Sequence, residues 1–195
     1  MSVIRFVSRL ATAAAAVTLL AATPALAADQ DSVSAVWVPK EIHFIYQGFT
    51  TRYSCDGLRD QVRAMLEKLE AQDLKVREAA CTSPPGVPSP FPGVMVKMRV
   101  LVPASSADAS KEKDSGHPVQ AQWKNVVLMP ETSSYQDQGN CELIEQFKRT
   151  FLPLFTTRNV KYRTSCVPHQ ITLGTHLSAE VLAPPAKVAS STPSH

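Results

Sequence analysis

Residues 55–81 read CDGLRDQVRAMLEKLEAQDLKVREAAC, and residues 141–166 read CELIEQFKRTFLPLFTTRNVKYRTSC. Each stretch opens on a cysteine and closes on another, 26 residues later in the first and 25 in the second. Leu58, Leu66, Leu69, Leu74, Val76 and Arg77 stand at the same offsets from Cys55 as Ile144, Leu152, Phe155, Val160, Tyr162 and Arg163 do from Cys141. Six matched offsets within segments of otherwise different sequence point to one unit occurring twice.

Working outward, each copy reads as a capped amphipathic helix followed by a strand. Ser54 is a good N-cap, Asp56 suits the positive end of the helix dipole, and Leu58, Val62, Met65, Leu66 and Leu69 recur at helical spacing to about Ala71. Asn140 and Glu142 repeat the cap and the first-turn acid, with Leu143, Ile144, Phe147, Phe151 and Leu152 as the stripe and Pro153 as the break. Alternation and β-branched content place strands at 41–47, 74–81 and 94–102, then at 119–129, 159–166 and 171–182. Each half is therefore β-α-β-β, with repeats over 36–103 and 119–182. A polar stretch, 104–118, is expected to be a flexible linker, and residues 183–195, rich in Ala, Pro and Ser, a disordered tail. Roughly 60 residues with one helix bury too little to stand alone. The expected fold is α+β: two helices on one face of a mixed or antiparallel sheet, a two-layer sandwich forming one domain over 28–182. The pattern leaves open whether the six strands make one sheet or two.

The first 27 residues are expected to be an export signal. Arg5 and Arg9 precede an apolar stretch too short to span a bilayer, and Ala25-Leu26-Ala27 fits small-residue cleavage. No later segment reads as a transmembrane anchor, so a periplasmic or secreted protein is expected. Loss of the signal takes the 20 Lys+Arg to 18, against 17 Asp+Glu. That balance argues against a general nucleic-acid binder, and any electrostatic role must come from where the charges sit. Four cysteines in an oxidising compartment favour disulfides. Of the three possible pairings the repeat selects Cys55–Cys81 and Cys141–Cys166, each a structural staple; C-x-x-C redox spacing is absent.

Strand alternation then assigns the face opposite the helices. Lys75, Arg77, Lys97, Arg99, Lys124, Lys161 and Arg163 are expected there, with His43 and His176, and of the strand acids only Glu41 and Glu180; Glu78 falls in the other register. Such a face suits an anionic partner, although a solvated sheet face must carry polar residues in any case. Cys166, His169 and His176 lack structural-zinc spacing, and no metal or cofactor is expected. G-x-S-x-G, H-E-x-x-H and Gly-rich phosphate loops are absent from the chain.

Residues 48–60, GFTTRYSCDGLRD, resemble a segment of small secreted proteins of Gram-negative bacteria with no assigned function. The resemblance implies export from a proteobacterial cell and carries no activity with it. The expected function is a non-enzymatic binding or interaction module of the cell envelope, recognising an anionic envelope component or a protein. The alternative is a hydrolase-like envelope enzyme with its site in the cleft between the repeats.

Overall fold

The computed structural model describes residues 32–111, 117–129, 140–164, 166–170 and 175–185. The signal at 1–27, the middle of the linker and most of the tail lie outside them. The protein is α+β: strands β1 (Val33–Ile45), β2 (Gln72–Ala79), β3 (Gly93–Pro103), β4 (Val119–Met129), β5 (Thr157–Arg163) and β6 (His176–Ala183), with helices α1 (Cys55–Lys68), α2 (Ala107–Lys111) and α3 (Cys141–Thr150).

All six strands belong to one antiparallel sheet of order β2-β3-β1-β4-β6-β5. The order reads the same from either edge when β1, β2 and β3 are exchanged for β4, β5 and β6. The middle of the sheet is narrow, since β1 and β4 pair only at Val33↔Ala121, Ser34↔Gln120 and Ala35↔Val119, whereas β1 and β3 stay in register from Ala35↔Pro103 to Ile45↔Gly93. β1 starts eight residues before the expected strand. Pro39 sits inside it opposite Arg99, where β1 is paired on the β3 side alone, so a residue without an N–H does no damage to the ladder.

The outer strands carry matching irregularities. β2 slips register between Gln72 and Lys75, and β5 between Arg158 and Lys161. Inside each slip one residue takes a left-handed backbone, Asp73 at φ 51° and Asn159 at φ 52°. Asp and Asn are the side chains, after glycine, that tolerate this conformation best. Alternation alone does not announce such bulges, and it misplaced the end of β5, which stops at Arg163.

Helix α1 is capped as expected, Gly57 donating its N–H to Ser54 Oγ at 3.2 Å. Asn140 does not cap α3 with its side chain; its Oδ1 instead accepts from the Tyr53 hydroxyl. Pro153 ends the helix in a 3₁₀ turn, Leu152–Leu154. Part of the expected linker is ordered as α2, where Ala109 donates to Ser106 Oγ and Asp108 pairs with Lys40 at 2.7 Å.

Leu58, Val62 and Leu66 of α1 and Ile144 and Phe147 of α3 share one core with Val38, Phe44, Val96, Val126 and Val181 of the strands. Phe151 links β1 to α3, its ring 5.2 Å from Phe44 and 4.8 Å from Phe147. Burial of each such side chain contributes roughly 1.5–3 kcal/mol, which makes this cluster the main stabilising term. Cys55 is bonded to Cys81 and Cys141 to Cys166, with Cα separations of 6.0 and 5.7 Å, which are the two pairings expected from the sequence.

The loop after β1 is held by α3. Glu142, only 9% exposed, accepts from the Phe49 N–H (2.9 Å), the Thr50 N–H (3.0 Å), the Thr50 hydroxyl (3.2 Å) and the Tyr46 hydroxyl (3.3 Å). Gln146 acts as a strand neighbour for Gln47, accepting from its N–H at 3.0 Å and donating to its carbonyl at 2.6 Å. Gly48 is required here because a Cβ would overlap the Tyr46 ring.

Candidate binding face

The strand residues that reach the core fix which face is open. Val36, Val38 and Phe44 of β1, Val94, Val96 and Val100 of β3, and Leu177 and Val181 of β6 point into the core, so their alternates point away from it. Lys75 and Arg77 of β2, Lys97 and Arg99 of β3, and Lys161 and Arg163 of β5 are such alternates, as are His43, His176, Glu41 and Glu180. Glu78 lies on the helix side, its carboxylate 2.7 Å from Arg59 of α1.

Lys124 departs from expectation. It shares the parity of Val126 and Leu128, which are core residues, and its ammonium pairs with Glu70 just past the end of α1. β4 is apolar on both parities, with Val119, Ala121 and Trp123 on one and Val126 and Leu128 on the other, so alternation could not choose its face. The structure thus gathers six of the seven nominated cations on the open face.

Along the middle of that face runs a second apolar cluster. Ala35, Leu101, Ala121 and Leu182 are buried there beneath Val33, Trp37, Val119 and Trp123. This seam was missed from the sequence although a signal was present. Residues 33–37 read VSAVW and residues 119–123 read VQAQW, 86 residues apart, the spacing that separates Cys55 from Cys141. The expected first repeat began at residue 36 and cut through the motif. The same spacing relates Asp73 to Asn159, Lys75 to Lys161 and Arg77 to Arg163.

A polar pocket lies on each side of the seam. One, of about 310 Å³, is lined by Pro39, Glu41, Asp73, Lys75, Lys97 and Arg99 among others. The second, of about 420 Å³, is lined by Asn125, Asn159, Val160, Lys161, Ser178 and Glu180. Each sits at a bulge of an outer strand. Lys97 pairs with Glu41 at 3.0 Å, Arg99 with Asp73 at 3.5 Å, and Arg158 with Glu180 at 2.5 Å while its guanidinium lies 4.4 Å above the Trp123 ring. Lys75 and Lys161 have no ion-pair partner among the described residues. Exposed pairs of this kind contribute about 0–1 kcal/mol each, so the charges are placed at little cost or gain to folding.

Groups that could do covalent chemistry are few among the described residues. His176 Nε2 lies 3.0 Å from Ser178 Oγ, but His176 Nδ1 has no hydrogen-bond partner. A pocket of about 230 Å³ between α1, the end of β4 and α3 is lined by Gln61, Met65, Lys68, Asn140, Leu143 and Ile144 among others, with no acid or histidine among the described residues. Cys166 is committed to its disulfide and is not a thiolate ligand. No helix among the described residues is long and apolar enough to cross a membrane.

Comparison with protein-family models, with curated proteins and with solved structures finds no match to this chain. Function has to be read from the face itself: two half-buried indole rings, a row of cations on either side, and two shallow pockets lined by both signs of charge, the second adding the Asn125 and Asn159 amides and the Ser178 hydroxyl. Such a surface can hold a polar, negatively charged ligand by electrostatics and hydrogen bonds.

Proposed function

We propose that this protein is an exported, non-enzymatic binding module of the bacterial envelope that recognises an anionic partner through the open face of its sheet. The observation that carries the reading is the placement of Lys75, Arg77, Lys97, Arg99, Lys161 and Arg163 on the strand parity opposite the core. A chain with nearly balanced charge has concentrated its strand cations on one side. Export rests on the reading of residues 1–27, on two disulfides that suit an oxidising compartment and on the resemblance of 48–60 to secreted proteobacterial segments.

The module is built, in this reading, from two copies of a β-α-β-β unit around a pseudo-two-fold axis at the β1/β4 junction, with α1 and α3 layered on one face of the sheet. The strand order, the spacing of 86 residues and the paired bulges support it. The hydrolase alternative has the His176–Ser178 contact in its favour, but that pair lies on β6 within one half and, among the described residues, lacks a third group to orient the imidazole.

Binding of the purified exported protein to soluble polyanions, followed against ionic strength, tests the proposal. The wild-type protein is expected to bind with an affinity that falls as salt rises. Replacing Lys75, Arg77, Lys97 and Lys161 together by Gln should weaken binding at least tenfold and flatten the salt dependence, with the thermal midpoint nearly unchanged. Binding indifferent to both the variant and the salt would reject the reading.

A further inference from the structure

We infer that the ligand of the open face is an acidic polysaccharide, one chain of which crosses the tryptophan seam and occupies both pockets. The inference rests on the anion-binding reading and goes on to name the ligand class. It starts from the equivalence of the two pockets. Asp73 and Asn159 hold the same left-handed backbone at φ 51° and 52°, each inside a register slip, and each slip leads directly into a lysine of the pocket, Lys75 or Lys161. Bulges re-aim the side chains beside them and are frequent next to binding sites. Two like pockets on one face call for a ligand whose groups recur, which is the defining property of a polymer.

The lining groups narrow the chemistry. A phosphate or sulfate offers only acceptors and calls for donors alone, yet Glu41 and Asp73 line one pocket and Glu180 the other. These carboxylates repel a bare polyanion but accept from sugar hydroxyls. Asn125, Asn159 and Ser178 supply donors and acceptors to the same hydroxyls, while Lys75 and Lys161 are left for a carboxylate on the ring. Trp37 lies two residues from Pro39 and Trp123 two residues from Asn125 on their strands, so a half-buried indole flanks each pocket, Trp37 as an apolar surface for a sugar ring and Trp123 beneath the Arg158 guanidinium that pairs with Glu180. From Lys75 on β2 to Lys161 on β5 there are five strand spacings, about 24 Å in all, a span that only an extended oligomer reaches.

The chain has two tryptophans, and both stand on this face, so intrinsic emission reports on the site alone. The experiment titrates the purified protein with galacturonate di-, tetra- and octasaccharides, the methyl-esterified octasaccharide and inorganic polyphosphate, following emission. Expected is a saturable change with the acidic octasaccharide, binding about tenfold or more tighter than the disaccharide because both pockets are engaged, and no binding of the ester. Trp37→Phe and Trp123→Phe should each remove that gain with length; Lys75→Gln and Lys161→Gln, at exposed positions, carry the same test if an indole variant fails to fold. Polyphosphate binding at this face with no response to galacturonate would overturn the polysaccharide assignment and leave the anion reading standing. Acidic oligosaccharides binding with no dependence on length would overturn the two-pocket arrangement. No response to any polyanion, by emission or by equilibrium dialysis, would remove both.

Discussion

Glu142 shows what a single residue does here. Its carboxylate organises the 46–54 loop by taking hydrogen bonds from two backbone amides and two hydroxyls, and removal of a buried acceptor leaves those donors unsatisfied. Glu142→Ala should lower stability by about 2–3 kcal/mol in urea denaturation, while Glu67→Ala, exposed on α1, should change it by less than about 0.5 kcal/mol. Tyr46 and Tyr53 add a dependence on alkali. Burial above all raises both phenols well above their usual range, followed for Tyr46 by the neighbouring Tyr53 and then the Glu142 carboxylate, and for Tyr53 by Glu142. Below about pH 10 both phenols are neutral whether the chain is folded or not; above it only the unfolded chain loses these protons, so stability falls as pH rises. The denaturation midpoint should therefore decline from about pH 10 upward, and the Tyr46→Phe/Tyr53→Phe variant, though weaker at neutral pH, should decline less steeply. None of this was legible beforehand. Glu142 reads as a helix N-terminal acid, and its partners lie more than 90 residues away in sequence.

At the scale of elements the sequence was more informative. The cap at Ser54, the stop at Pro153 and the strands on either side of each helix follow from local chemistry, and the structure places them close to where that chemistry puts them. The errors have local causes too. Pro39 hid the first half of β1 because a proline normally argues against a strand, and only the one-sided pairing beyond Ala35 makes it harmless. β4 hid its orientation by being apolar on both faces, which moved Lys124 to the wrong side. The cysteine pairing was legible because the nearly equal spacings, 26 and 25 residues, and the matched apolar offsets leave one consistent assignment. Each disulfide closes a loop of 26 or 25 residues and should stabilise by about 3 kcal/mol. Cys55→Ser/Cys81→Ser is expected to lower the unfolding free energy by that amount, and non-reducing peptide mapping of the wild-type protein should recover Cys55–Cys81 and Cys141–Cys166 as the linked peptides.

For the whole molecule, the sheet does two things with its two faces. One buries the side chains that hold α1 and α3, and the other sets the six nominated cations, Arg158 and two indoles around a narrow central seam. The seam lies where β1 and β4 meet through three residue pairs, so the apolar cluster over it also shields the weakest join in the sheet. Six of the cations were legible from parity alone, whereas Arg158 lies across the bulge from them; the seam left a trace in the VSAVW and VQAQW stretches, and the pockets left none because they depend on which strands become neighbours. The most direct measurement of the central claim is a ¹H–¹⁵N correlation spectrum of the folded protein titrated with an acidic octasaccharide. The account predicts shifts of both tryptophan indole resonances and of backbone amides around Lys75, Lys97, Lys161 and Ser178, reversed by salt. Shifts confined to the Phe49 and Phe91 loops, whose rings are the most exposed large apolar side chains among the described residues, or to the pocket between α1 and α3, with both indoles unmoved, would contradict it.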